Sequence, residues 1–128
     1  MKKDIDTKND IRVLIDRFYD KVRVDETIGY FFNEVAAVDF EKHLPIMYEF
    51  WENILFHTGS YTGNPMKTHQ QLHQLSPLNS AHFNKWIEIF KDTVDELYEG
   101  QNAELIKQRA MSIATTMQLK ILHQSPFY

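Results

Sequence analysis

Apolar residues recur at helical spacing along most of this chain, and that periodicity restricts the fold more than any other feature. Between Asn9 and Val24 the positions Ile11, Leu14, Ile15, Phe18, Tyr19 and Val22 fall at steps of three and four, which lays them on one helical face. A second stretch runs from Asp39 to His57, with Phe40, His43, Met47, Phe50, Trp51 and Ile54 on its inner side. Pro45 lacks an N–H, so the regular part of that helix is expected to begin later than Asp39 or to kink there. A third stretch carries Phe83, Trp86, Ile87, Phe90, Val94 and Leu97, with Asn79 or Ser80 as its cap and Gly100 as its stop. The last spans about Ala103 to Leu122, with Ile106, Ala110, Ile113, Ala114, Met117 and Ile121 inward. Between these, Tyr30-Phe31-Phe32 after Gly29 reads as a tight helical turn, Thr58 to Pro65 as a loop, and Met66 to Leu75 as a short helix ended by Pro77. No strand pattern emerges. The expectation is an all-α fold, one domain over residues 1–128 with its core over about 9–122.

Charge and composition then remove several function classes. Fourteen Lys and Arg against 18 Asp and Glu leave a net charge of −4, with no basic strip to follow a phosphate backbone, which argues against nucleic acid as a partner. Cysteine is absent, so disulfides, thiolate metal sites and a cysteine nucleophile are excluded. No segment reaches the roughly 20 apolar residues that span a bilayer, and MKKDIDTKND is not patterned as a signal peptide. The expected compartment is the cytoplasm, with no membrane partner. Aromatic residues at 13% and six His tilt the balance slightly toward a cofactor pocket.

Haem is a flat apolar disc with a central iron and two carboxylates on one edge. It needs an axial ligand, apolar walls on both faces and, for gas binding, a donor on the open side. His69 and His73 are four residues apart and share one face of the short helix. That spacing also suits zinc, or two solvent-facing side chains. Tyr19 and His43 sit on inward stripes, where a core role is the ordinary reading, and the same holds for Trp86. No one of these positions decides the matter.

Their order along the chain resembles a group III truncated haemoglobin. The helix VLIDRFYDKVRVD (Val13 to Asp25) is similar to that family's opening helix with its distal tyrosine. GYFFN (Gly29 to Asn33) resembles the turn that brings a Phe against haem. FEKHLPIMYEFW (Phe40 to Trp51) matches a distal His eight residues ahead of a Trp. YTGNPM (Tyr61 to Met66) is similar to a Y-x-G-x-P loop, and HQLSPLNSAHFNKWIEIF (His73 to Phe90) resembles the proximal segment. The likeness extends over about residues 9–122.

The resemblance implies a two-over-two helical sandwich around haem b. It implies Tyr19 as donor to the distal ligand, His43 as gate or second polar group, and Trp86 as a further donor. Phe32, Met47, Phe50 and Met117 would line the pocket, with Trp86 on its wall. His73, chosen for its spacing to Pro77 and Trp86, would hold the iron; His69, which follows the Pro-Met pair as in some members of the family, is the alternative ligand or would approach a propionate, with Tyr61 and Lys67. The implied ligands are dioxygen, nitric oxide and carbon monoxide. Three donors around one ligand suit nitric oxide dioxygenase or peroxidase-like chemistry, served by a reductase, better than transport. A haem-based sensor acting through a partner and a cofactor-free helical interaction module are the alternatives.

Overall fold

Among the described residues four long helices carry the structure, and each begins where a side chain can satisfy its free N–H groups. The protein is seen as a computed structural model that describes residues 2–59, 63, 65, 69 and 78–122, with side chains through 120. Helix α1 covers Lys8–Val24, α2 Phe40–Phe56, α3 Ser80–Leu97 and α4 Gln101–Leu122, and a short π-helical segment, Phe31–Val35, lies between α1 and α2. No strand occurs among the described residues. Helix α1 packs on α2 and α3, while α4 packs on α3 and α2, giving two helices over two as expected.

Thr7 starts α1 with a reciprocal cap. Its Oγ1 accepts the Asp10 N–H at 3.2 Å, and Asp10 Oδ2 accepts the Thr7 N–H at 3.1 Å. All six residues assigned to the inner face of α1 are buried. Gly29 lets the chain press back on this helix, because a Cβ there would lie 3.0 Å from the carbonyl oxygens of Val22 and Arg23.

Helix α2 begins at Phe40, capped by Asp39, within a residue of the expected start, and Pro45 lies inside it. The proline sits early in the helix, and what it removes there is the N–H that would bond the Glu41 carbonyl. The burial of α2 departs from expectation. Trp51, Glu52 and Leu55 are buried, but Phe40, His43, Met47, Phe50 and Ile54 are only half-buried. His43, Met47 and Phe50 of this stripe border a cavity, while Phe40 and Ile54 pack against the core. The helix ends at His57, in the left-handed region at φ 56, and its tail is tied by Gly59 N–H donating to Asn53 Oδ1 at 2.7 Å.

The polar N-terminal lead is structural. Ile5 is fully buried, and Asp4 caps the far helix α4 by accepting the N–H groups of Asn102 at 2.9 Å and Ala103 at 2.8 Å. Asn102 Nδ2 donates to the Ile5 carbonyl at 2.7 Å. Gly100 stands at φ +148, and a Cβ there would fall 2.5 Å from Asp4 Cγ.

Asp4→Ala should therefore cost about 1–2 kcal/mol, the worth of a helix cap with a charged acceptor. Gly100→Ala should cost as much, and thermal melts by circular dichroism read both. The pH dependence has a definite sign. Burial opposes ionisation of Asp4, but the N–H donors of Asn102, Ala103 and Ile5 outweigh it and hold its carboxyl below its ordinary value of 3.8. A depressed carboxylate stabilises fully above its unfolded value and loses that contribution as pH falls through the folded one. Acid should thus erode stability below pH 3.8, and Asp4→Asn should flatten that loss.

Candidate functional site

The half-buried stripe of α2 opens on a cavity of about 420 Å³, within the range of small-molecule and cofactor sites. Tyr19 comes to it from α1, Phe32 from the π-helical segment, His43, Met47 and Phe50 from α2, Trp86 from α3 and Met117 from α4. His69 joins them. Eight side chains singled out in the sequence thus meet on one cavity. Tyr61, Lys67 and His73 lie outside the described residues.

Two polar groups on this cavity are paired. The Tyr19 hydroxyl and His43 Nε2 are 3.2 Å apart, and their rings meet edge to face at 5.3 Å. Tyr19 is only 5% exposed, and burial raises its phenol well above the ordinary range, so it stays a neutral donor. Burial also holds His43 below its ordinary value, and His69 adds to the shift. A neutral tyrosine and a neutral histidine can exchange donor and acceptor roles across this contact. When His43 Nε2 donates, the Tyr19 hydroxyl proton is free to turn toward the cavity.

His69 is oriented by its own chain. Its Nδ1 lies 2.7 Å from the Pro65 carbonyl oxygen, and a carbonyl can only accept, so Nδ1 carries the proton. Burial keeps the ring neutral, against a smaller opposing effect of the Pro65 bond. In that tautomer Nε2 holds the lone pair. This is how a metal-ligating imidazole is prepared by its supporting hydrogen bond.

Trp86 is held by an aromatic shelf. Its ring stacks near Phe90 at 5.7 Å and Trp51 at 6.4 Å, and Trp51 stacks on Phe90 at 4.7 Å. Phe18 closes the set edge-on at 5.8 Å from Trp86. Such packing leaves the indole little rotational freedom.

Several wall residues were not assigned to the site from sequence. Phe31 and Phe83 belong to a buried cluster with Leu78 and Met117 that forms one end of the cavity. His82 also lines it, 4.6 Å from Phe31 ring to ring. Its Nδ1 accepts the Asn79 N–H at 3.1 Å while Asn79 Oδ1 accepts the His82 N–H at 3.2 Å. The signal was available, since His82 stands three residues after the expected cap Asn79, where a capping box places its second acceptor.

The walls are flat, aromatic and apolar, with one prepared imidazole and a donor pair, which fits haem. Comparison with known proteins agrees. The model of the family described as bacterial-like globin matches residues 3–121. A group 3 truncated haemoglobin of Campylobacter jejuni is 30% identical over 121 residues, 92% of this chain and 93% of that protein. A crystal structure of a group III truncated haemoglobin from Campylobacter jejuni matches with a TM-score of 0.82 at 30% identity, covering 94% of this chain and 95% of that one.

Proposed function

This chain belongs to the bacterial-like globin family and within it to the group III truncated haemoglobins, and on that premise we propose that its cavity holds haem b through His69 and serves the chemistry of diatomic gases. The observation that carries the reading is the His69 contact with the Pro65 carbonyl, which leaves Nε2 as a lone-pair donor on the cavity. His73, four residues later in sequence, lies outside the described residues and stands as the alternative ligand. Haem, when bound there, would supply an iron able to take a small diatomic ligand and to change oxidation state.

The remaining roles belong to the side chains. Phe32, Met47, Phe50 and Met117 exclude water from the cavity and give the haem apolar walls. Tyr19 donates a hydrogen bond to a polar ligand, and Trp86 offers its indole N–H from the aromatic shelf. His43 pairs with Tyr19 on the cavity wall and is assigned the role of gate. Tyr61 and Lys67 are carried as propionate partners.

Donors arranged in this way slow the release of a polar ligand. Slow release suits consumption of nitric oxide by the oxygenated protein, or peroxide chemistry, and not transport along an oxygen gradient. Repeated turnover calls for electrons from a cytoplasmic reductase.

The first test is an absorbance spectrum of the freshly purified protein. A Soret band that shifts on reduction and on adding carbon monoxide is the expected result. Failure to take up haem, even when haem is supplied in excess, would sink the reading and leave a cofactor-free helical module. Rapid nitric oxide consumption by the oxygenated form would then separate gas chemistry from simple storage.

A further inference from the structure

The last turn of α1 carries a guanidinium that the chemistry described above does not use. Arg23 Cζ lies 3.7 Å from the centroid of the Phe40 ring, at the first residue of α2. Its Nε is buried and finds no hydrogen-bond acceptor among the described residues, so that edge of the half-buried guanidinium is shielded from water beside the ring. Phe40 in turn meets both members of the polar pair edge-on, Tyr19 at 5.8 Å and His43 at 6.1 Å. One face of the ring takes the cation, and its surroundings include the pair.

The base of this contact is fixed. The Arg23 carbonyl accepts Asn33 Nδ2 at 2.8 Å, and Gly29 packs closely on the same carbonyl. Arg23 therefore projects from a pinned point on α1 onto the start of α2. The opening turn of α2 is also where Pro45 removes a backbone bond, so it gains less from its own ladder than an ordinary helix start.

We propose that Arg23 is a positioning residue: by clamping Phe40 it holds the first turn of α2 in place and keeps His43 on Tyr19. The proposal rests on the reading of His43 as the gate. Losing the clamp lets the turn that carries His43 move away from α1 and raises the population in which the cavity is open. The expected change is modest because a single cation–π contact is involved.

The test uses the haem-loaded protein and carbon monoxide, a ligand that depends little on hydrogen bonding. Arg23→Met keeps the aliphatic stem and removes the cation, and should speed carbon monoxide association after flash photolysis by about two- to tenfold. Arg23→Lys should restore most of the slow behaviour, which a purely steric role for arginine would not predict. The infrared stretching band of the carbon monoxide form should shift in weight toward the higher-frequency component of an open site in Arg23→Met. In a His43→Ala background the same substitution should add nothing further to the rate. Phe40→Leu removes the ring without touching Arg23 and should reproduce the effect if Arg23→Met fails to fold.

The outcomes separate the two ideas. If His43→Ala speeds association but Arg23→Met and Phe40→Leu do not, the clamp is overturned and the gate stands. Acceleration by Arg23→Met that persists undiminished in the His43→Ala background overturns the clamp as well, because Arg23 would then act elsewhere. If His43→Ala itself changes nothing, the gate reading fails and the clamp falls with it.

Discussion

Replacing His69 with glycine is expected to abolish native iron coordination, and imidazole added to the variant should restore it. The His69 ring is prepared in three respects: it is half-buried, held neutral by desolvation, and tied through Nδ1 to the Pro65 carbonyl 2.7 Å away. A glycine leaves a hole of imidazole size and, among the described residues, no other group on the wall with the same preparation. Loss of a supporting hydrogen bond alone costs a metal site roughly 10–100-fold in affinity, so loss of the ligand should exceed that. Transfer of haem to apomyoglobin measures it. His73→Gly is the control, and should leave the spectrum intact. A His69→Gly variant with native coordination, beside a His73→Gly variant without it, would return the iron to His73.

The two histidines also show where the sequence stops being readable. They lie four residues apart, a spacing that a helix would put on one face, and periodicity cannot choose between such neighbours. Counting back from Pro77 and Trp86 favours His73 only if the connection into α3 has a fixed length, and loops vary in length freely. The position of His69 just after Pro65 and Met66 points the other way, and the contact of its ring with the Pro65 carbonyl gives that position a physical meaning the spacing alone lacks.

The helices themselves were legible because burial repeats with helical period. Ile11, Leu14, Ile15, Phe18, Tyr19 and Val22 are all buried as the spacing requires. On α2 the same pattern carried a different meaning. Met47 and Phe50 have the apolar signature of core yet stay half-buried, since an apolar stripe reads alike whether it faces a helix or a cofactor cavity. The N-terminal lead was hidden for another reason. Asp4 caps a helix 98 residues further along, at Asn102, and local rules for helix starts look only three or four residues ahead. Trp51 was placed on the inner side of α2, but its function as the shelf beneath Trp86 depends on a contact between α2 and α3.

The distal donors give the second large effect. Dioxygen held in such a site carries partial negative charge on its oxygens, and carbon monoxide carries far less, so a donor aimed at the ligand should slow release of the first much more than of the second. A hydrogen bond to a charged or partly charged group is worth about 1.5–3 kcal/mol, so its loss should speed release roughly ten- to a hundredfold. Tyr19→Phe should do this to dioxygen while leaving carbon monoxide release within a few-fold of its starting rate. The ring stays in place in that variant, because Tyr19 is packed edge-on against Phe18 at 5.0 Å and Phe32 at 5.8 Å. Trp86→Phe should act in the same direction, since the substituted ring can still stack on Phe90 but has no N–H. The two donors share one ligand and Phe18 touches both side chains, so the double variant should depart from the sum of the singles. His43→Leu behaves differently in this scheme: it removes the partner of Tyr19 without removing the donor, and should alter association more than release. Stopped-flow mixing with a competing ligand reads the dioxygen rates directly. Equal and small changes for dioxygen and carbon monoxide in both single variants would mean that this cavity controls its ligands by access alone, and the weight of the mechanism would pass to His43.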